Sequence, residues 1–161
     1  MQTMRQIIET FLKNEPHVKN CSFNEKIQSI YFEFIGKNAE HEIMINWSDF
    51  NKTSMAFISI MSSTSIMVPF EKRCEILEFL NYTNGGEKRI SRFILQPSGF
   101  IFSVCTIYAN TDKILNESVL NAIFLDTLYY EDVCHPINDR LISSSLTLEE
   151  AISEFHSQFQ Q

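Results

Sequence analysis

The chain contains 161 residues, a length typical of one domain that buries about 68 to 70% of the surface exposed by the unfolded chain, so we predict a single domain over residues 1–161. Thirteen basic residues against 20 acidic ones give a formal net charge of -7, which disfavours nucleic acid as a partner because such binding depends on cations that neutralise phosphates. The sequence contains neither an apolar stretch of about 18 residues nor the apolar core of a secretory signal, which predicts a cytoplasmic protein with no membrane partner.

The first half of the chain changes from a helical period to a strand period. Apolar residues at helical spacing predict a first helix from about Thr3 to Lys13, and Pro16 ends it. From Lys26 onward apolar and polar residues alternate, which predicts three strands in succession. These strands are centred on residues 30–34, 43–47 and the segment TSMAFISIMS (residues 53–62), with turns at residues 36–38 and 49–52.

The third of these strands is apolar on both faces. Alternation places Met55, Phe57 and Met61 on one face and Ala56, Ile58 and Ile60 on the other. Such a strand requires cover on both sides, either from helices of the same chain or from a second subunit. Methionine suits surfaces that accept varied apolar partners, although filling a core is its more common use. We therefore take Met55, Phe57 and Met61 as the candidate interaction surface.

The second half of the chain predicts a helix followed by a hairpin. Pro69 suits the first turn of a helix, and Gly85 and Gly86 follow its end, where glycine can take the left-handed conformation that closes a helix. A fourth strand over about residues 89–96 and a fifth over about residues 100–108 flank Pro97-Ser98-Gly99, a sequence typical of a tight turn.

The last third of the chain is helical. Asn116 caps a long third helix, and Pro136 is expected to kink or end it near Cys134 because proline lacks the backbone donor. A capping box at Thr147 to Glu150 opens a short last helix that runs to about Phe159. The order helix, three strands, helix, two strands, long helix predicts an α+β fold in which a five-stranded antiparallel sheet packs against helices.

No residue pattern specifies a reaction. Lys88 and Arg89 follow the paired glycines, but a nucleotide loop follows a strand and opens a helix, whereas this segment ends a helix and enters a strand. The four cysteines contain no Cys-x-x-Cys pair, and the four histidines are scattered: Cys21, Cys74, Cys105 and Cys134; His17, His41, His135 and His156. We predict reduced cysteines and no catalytic, cofactor-binding or metal-binding residues.

Two alternatives to a non-catalytic protein stay open. Cys134 and His135 are adjacent on one helix and point about 100° apart, so an enzyme would have to unite Cys105 or Cys134 with a histidine in three dimensions. The carboxylate pairs Glu131-Asp132 and Glu149-Glu150 are explained by positions at helix ends and on the solvent side. The other alternative is a small-molecule sensor with an apolar pocket between sheet and helix.

The stretch VPFEKRCEILEFLNYTNGGEKRISRFILQPSGFIFSVCTIY, followed by LNESVLNAIFLDTLYYEDVCHPIN, resembles the YbjN family of bacterial sensory transduction regulators. Members share a helix that ends in a Leu-Asn-x-x-Asn segment, a strand with phenylalanine, a glycine turn and a final helix with a late proline. The corresponding residues here are Leu80, Asn81, Asn84, Phe93, Gly99 and Pro136. The resemblance covers roughly Lys26 to Asn138.

The resemblance implies a fold like that of the type III secretion chaperones, in which a curved antiparallel sheet packs against helices and the protein often forms a dimer. It also implies a role in protein binding without catalysis. Together with the apolar strands and the acidic charge, it predicts a cytoplasmic adaptor, regulator or chaperone-like protein. We expect it to act as a homodimer and to bind a protein or peptide partner without a cofactor.

Overall fold

The structure, a computed structural model, describes residues 4–49, 55–86, 89–110 and 117–159. Its helices are α1 (Met4–Asn14), α2 (Arg73–Asn84, preceded by a 3-10 turn at Phe70–Lys72), α3 (Glu117–Ile142) and α4 (Leu148–Phe159). Its strands are β1 (Val18–Asn24), β2 (Ser29–Ile35), β3 (Glu40–Asp49), β4 (Met55–Met67), β5 (Arg92–Leu95) and β6 (Phe100–Asn110). The expected caps Thr3 and Asn116, and Lys88, lie outside the described residues.

The strands form one antiparallel sheet with the order β1-β2-β3-β4-β6-β5, which confirms the predicted α+β architecture. The sheet has six strands, so the prediction of five was wrong. The missed strand is β1, an edge strand whose seven residues are all exposed or only partly buried. An edge strand with neither face buried has no apolar alternation by which its sequence could be recognised.

The described helices pack on one face of the sheet, which we call the covered face. Every second residue of the central strands lies on the covered face and packs against the helices. Examples are Ile45 of β3, Ile58 and Ile60 of β4 and Cys105 of β6. The helices bury the residues in two clusters. One joins α1 and the first half of α3 to β2, β3, β4 and Cys105 of β6, and the other joins α2, α4 and the second half of α3 to β5 and Ile101 of β6.

Of the two outcomes expected at Pro136, a kink or an end of the helix near Cys134, the end was wrong: α3 continues through Pro136 to Ile142. Proline has no N–H to donate to the carbonyl four residues earlier, which here is that of Asp132. The Asn38 side-chain amide donates to the Asp132 carbonyl at 3.0 Å. The acceptor that the proline leaves free therefore has a partner from the β2-β3 turn.

Glycine has two different uses at the turns. Gly99 lies at φ +100 in the turn between β5 and β6, where a side chain would be strained, and the predicted hairpin is confirmed. Gly85 closes α2 at φ -73, in the right-handed region, and its N–H donates to the carbonyls of Asn81 and Tyr82. The expected left-handed cap at this position was wrong: Gly85 continues the helical hydrogen bonding, and the Arg89 and Arg92 side chains donate to the carbonyls of Thr83 and Asn84.

No helix in the described part of the chain combines the length and the apolarity that a passage across a lipid bilayer would require.

Candidate functional site

The face of the sheet opposite the helices, which we call the open face, is built of cross-strand rows of side chains. The register sets four rows: Tyr31, Met44, Met61, Val104 and Arg92; Glu33, Glu42, Ser63, Phe102 and Ile94; Asn46, Ser59 and Thr106; Ser48, Phe57 and Tyr108. The first row is apolar over four adjacent strands, and the third is polar, with Ser59 and Thr106 hydroxyls 2.9 Å apart. Adjacent apolar residues thus form one continuous surface across β2, β3, β4 and β6.

Two of the three residues of the candidate interaction surface lie on the open face. Met61 stands in the first row between Met44 and Val104, and Phe57 lies beside Tyr108 with ring centroids 6.4 Å apart. The backbone of Met55 pairs with Asn110, and the Met55 side chain lies outside the described residues. The sequence missed the other apolar members of the rows, for which the alternation of β2, β3 and β6 was the available signal.

A trough of about 300 Å³ crosses the open face. Its lining residues are Asn20, Tyr31, Phe32, Glu33, Glu42, Ile43, Met44, Met61, Ser63 and Phe102. Glu33 and Glu42 are direct cross-strand neighbours, an arrangement of like charges that destabilises a sheet. Asn20 Nδ2 donates to Glu33 at 2.6 Å, and in the described part of the chain no cation lies within ion-pair distance of either carboxylate. The surface is therefore apolar in its centre and charged at the β1, β2 and β3 side, where Lys19 is the cross-strand neighbour of Glu33.

The two edges of the sheet are poorly suited to pairing with another strand. In β1 a bulge interrupts the register between Lys19 and Ser22, and Asn20 lies at φ 51. At the opposite edge β5 has only four residues. Bulges, lysine and short length are the features by which sheet edges avoid strand addition. Both edges therefore carry features that disfavour the addition of a further strand.

A second concavity of about 380 Å³ lies between α3 and the end of β2. Its lining residues are His17, Phe34, Ile35, Gly36, Lys37, Leu125, Leu128, Tyr129 and Asp132. It lies between sheet and helix, where the sequence led us to consider an apolar pocket, and Leu125 in its lining is 54% exposed.

On the covered face, His41, Ser62, Glu131 and Asp132 form a buried polar group that we call the His41 cluster. His41 Nδ1 lies 3.0 Å from Glu131 Oε2, and His41 Nε2 lies 3.1 Å from Asp132 Oδ1. Ser62 Oγ donates to the same Glu131 oxygen. An ionised carboxylate only accepts hydrogen bonds, so the ring donates from both nitrogens, as only the imidazolium can. The cluster therefore places one positive charge between two negative ones.

Burial and hydrogen bonding act in opposite directions on the ionisable groups of the cluster. Burial lowers the pKa of His41, but the hydrogen bonds and charges of Glu131 and Asp132 outweigh it and raise the pKa above 6.5. Burial also raises the pKa of Asp132, but the backbone N–H of Asn38 and the ring of His41 outweigh it and lower the pKa below 3.8. Both shifts favour the charged forms, in agreement with the geometry.

Asp132 also fixes the turn between β2 and β3. Its carboxylate accepts hydrogen bonds from the backbone N–H groups of Lys37 at 3.2 Å, Asn38 at 2.9 Å and Ala39 at 3.1 Å. The turn approaches so closely that a Cβ on Gly36 would lie 2.2 Å from Asp132 Oδ1, which leaves room only for glycine. The His41 cluster thus attaches the β2-β3 hairpin to α3.

The position of Glu131 corrects the sequence interpretation, which placed the Glu131-Asp132 pair on the solvent side. The side chains of His41, Glu131 and Asp132 are 0%, 4% and 14% exposed. His41 and Glu131 are 90 residues apart in the chain, and local patterns do not show such a contact. His41 and Ser62 are closed off from solvent, whereas Asp132 also lines the concavity between α3 and the end of β2.

The segment after the paired glycines is a joint between α2 and β5. Arg89 Nη1 donates to the Thr83 carbonyl at the end of α2 at 3.4 Å, and Nη2 donates to Ser91 Oγ at 3.1 Å. Its guanidinium lies 4.5 Å from the ring centroid of Phe93 and 4.1 Å from that of Tyr130. Arg89 is buried, so the predicted strand starts later, at Arg92, and the cation serves contacts within the protein.

The cysteines divide into an exposed and a buried pair. Cys21 and Cys74 are exposed, whereas Cys105 and Cys134 are buried, and burial raises the pKa of Cys105 to about 11 and of Cys134 to about 12. Burial lowers the pKa of His135, the neighbour of Cys134 in sequence. Neither buried thiol has the lowered pKa and the access of a nucleophile.

We expect a thiol reagent such as 5,5'-dithiobis(2-nitrobenzoate) to modify Cys21 and Cys74 rapidly in the native protein, and Cys105 and Cys134 only after unfolding. The measurement is the absorbance of the released thiolate over time, in buffer and in denaturant. The Cys21→Ser, Cys74→Ser double variant is the control and should lose the rapid phase. Rapid modification that persists in this variant would contradict the burial of the other two thiols and would favour the Cys-dependent enzyme.

No family model matches the chain, and no curated protein matches it. Among solved structures, the chain is similar to an uncharacterized protein from Methanothermobacter thermautotrophicus, with a TM-score of 0.42 and 13% sequence identity over 96% of this chain and 98% of the other. This degree of similarity assigns neither a family nor an activity to the chain.

Proposed function

We propose that this protein is a non-catalytic, cytoplasmic protein-binding protein, an adaptor, regulator or chaperone-like factor that contacts another polypeptide through the open face. The observation that carries the proposal is the apolar row of Tyr31, Met44, Met61 and Val104 on the side of the sheet that no described helix covers. Contiguous apolar surface of this kind typically marks a site of association. The bulge in β1 and the short length of β5 disfavour strand addition at the edges, so we expect a partner to bind the same face.

The resemblance to the YbjN family, and through it to the chaperone-like fold of type III secretion, supports the same role. Such proteins hold a partner through packing and hydrogen bonds and require no cofactor. The open face has the corresponding composition, with two methionines in its central row, Met44 and Met61. Methionine side chains adapt to partners of different shape because they are unbranched and polarisable. We expect the partner to be a protein or a peptide and the protein to act as a homodimer.

The Met61→Glu variant is expected to weaken binding of a polypeptide partner at least about tenfold, because it places a charge in an apolar contact. Candidate partners are captured from the native cell on immobilised protein, identified by mass spectrometry, purified and titrated by calorimetry. The matched control is Leu77→Glu, the same type of change at a residue on α2 that is 42% exposed. Circular dichroism melting checks that both variants fold. A partner that binds wild type and Met61→Glu equally would contradict the use of this face.

A further inference from the structure

The concavity between α3 and the end of β2 has apolar residues on both of its sides. Leu125, Leu128 and Tyr129 lie at helical spacing on one face of α3, and Phe34 of β2 lines the other side. Leu128 is buried, whereas Leu125 and Tyr129 are each 54% exposed. A single exposed apolar side chain is normal, but two of them one turn apart in the lining of a concavity provide a surface that an apolar ligand covers.

The two sides of the concavity are fixed to each other. Asp132 of α3 accepts hydrogen bonds from the backbone N–H groups of Lys37 and Ala39, in the turn after β2. The Ile35 N–H donates to the His17 carbonyl at 3.1 Å, which ties the segment before β1 to the end of β2. The concavity is therefore largely preformed, as is usual for sites that bind small molecules.

The charged side chains of the lining favour an anionic ligand. The Asp132 carboxylate already accepts five hydrogen bonds: three from backbone N–H groups, one from the Asn38 side-chain amide and one from His41. Its two oxygens offer about four lone-pair positions, so none is left for a ligand, and the same donors offset its negative charge. By contrast, in the described part of the chain no carboxylate lies within ion-pair distance of the Lys37 ammonium.

The volume of about 380 Å³ limits the ligand to a small molecule. Ligand sites in proteins typically measure about 300 to 1,000 Å³, so this one is near the small end of the range. At about 30 Å³ for each heavy atom, the volume of a water molecule in the liquid, it holds about a dozen non-hydrogen atoms. A nucleotide or a peptide helix is too large, whereas a short aryl or alkyl chain with one charged group fits.

We propose that this concavity binds a small amphipathic monocarboxylate, an aryl-alkyl or alkyl acid. Its apolar body packs on Phe34, Leu125 and Tyr129, and its carboxylate pairs with Lys37. The site is separate from the open face, since Leu128 in its lining belongs to the first hydrophobic cluster, under the helices. The inference therefore goes beyond the proposed function and does not depend on it.

Three compounds that share a phenylbutyl body and differ in the head group test the site: 4-phenylbutanoate, 4-phenylbutan-1-ol and 4-phenylbutylamine. Each is titrated to about 5 mM into the 15N-labelled full chain at about pH 7, and the amide resonances are followed by NMR. We expect 4-phenylbutanoate to shift the amides of Ile35, Lys37, Leu125 and Tyr129, with a Kd of about 1 mM or below. The alcohol should bind about threefold more weakly, and the amine more weakly still, because only the carboxylate pairs with Lys37.

Two variants with matched controls assign the contacts. Lys37→Glu keeps the backbone N–H that Asp132 accepts and should remove the preference for the carboxylate over the alcohol. Lys26→Glu, the same charge reversal at the opposite end of β2, should keep that preference. Tyr129→Ala should weaken all three compounds at least about threefold, whereas Tyr108→Ala, on the open face, should change none of them. Circular dichroism melting checks that the four variants fold.

Three results would overturn the inference: 4-phenylbutanoate that shifts none of the lining amides, equal affinities for the three compounds, or a Lys37→Glu variant that keeps the preference for the carboxylate. Shifts confined to the amides of Met44 and Met61 would place the compound on the open face and would overturn it as well. None of these results affects the proposed function, which fails when a polypeptide partner binds Met61→Glu as tightly as wild type.

Discussion

Replacement of His41 by alanine is expected to lower the free energy of unfolding by about 3 to 5 kcal/mol, the range found when one member of a buried ion pair is removed. The change leaves the Glu131 and Asp132 carboxylates inside the protein without their shared cation. Asp132 keeps three backbone N–H donors, whereas Glu131 keeps only the hydroxyl of Ser62 within the described residues. Glu131 therefore dominates the loss. Denaturant unfolding at about pH 6, where the wild-type imidazole is charged, measures the change.

The matched control for this loss is His156→Ala, which removes an exposed imidazole that contacts Tyr82 on the surface. Its effect should stay within about 1 kcal/mol, since exposed contacts contribute little. A change of less than about 1 kcal/mol for His41→Ala would mean that the carboxylates do not depend on the imidazolium, contrary to the geometry of the cluster.

The His41→Asn variant adds a dependence on pH, because asparagine can donate a hydrogen bond but does not titrate in this range. A group whose folded pKa is raised contributes stability that is complete below the unfolded value and is lost as pH rises through the folded value. The advantage of wild type over His41→Asn should thus decrease as pH rises from 6.5 through the raised pKa of His41. At the acidic end, below pH 3.8, the contribution of Asp132 to the stability of the folded protein is lost as pH falls through the lowered pKa of Asp132.

Replacement of Phe124 by alanine is expected to destabilise the protein by about 3 to 5 kcal/mol, as for other large-to-small changes in a core. Phe124 is 1% exposed and occupies the centre of the first hydrophobic cluster. Its ring centroid lies 5.2 Å from that of Phe11, 5.5 Å from that of Phe34 and 5.9 Å from that of Phe32. The substitution removes contacts to α1 and to β2 together, so the surrounding residues cannot close the cavity by one local shift.

The control for Phe124→Ala is Leu125→Ala, one residue along the same helix but 54% exposed. We expect a loss of about 1 kcal/mol or less, because little apolar surface leaves water there on folding. Both values come from denaturant unfolding followed by far-ultraviolet circular dichroism. Equal losses for the two variants would contradict the position of Phe124 at the junction of α1, α3 and the sheet.

Local periodicity was sufficient to predict most of the secondary structure. The change from a helical period before Pro16 to alternation after Lys26, and the capping box at Thr147, located α1, β2 and α4 because each signal lies within a few neighbouring residues. Periodicity did not reveal β1, whose residues are not buried, and it left open whether α3 kinks or ends at Pro136. The helix continues there, and Asn38, distant in sequence, donates to the carbonyl that Pro136 leaves free.

The candidate site shows the same limit. Alternation within β4 predicted that Phe57 and Met61 share a face, but the open face also depends on β6 lying between β4 and β5. That order comes from pairing between segments about 45 residues apart, and single-strand patterns do not contain it. The partnership of His41 with Glu131 was missed for the same reason, since it depends on the way α3 crosses the sheet.

Pro136 has a structural use that follows from the hydrogen it lacks. The carbonyl that it leaves vacant points at one place on the circumference of α3, and Asn38 reaches it there. A proline one position earlier or later would rotate that vacancy by about 100° around the helix axis, away from the hairpin. The absent N–H thereby makes the Asp132 carbonyl one of the acceptors through which α3 holds the β2-β3 hairpin.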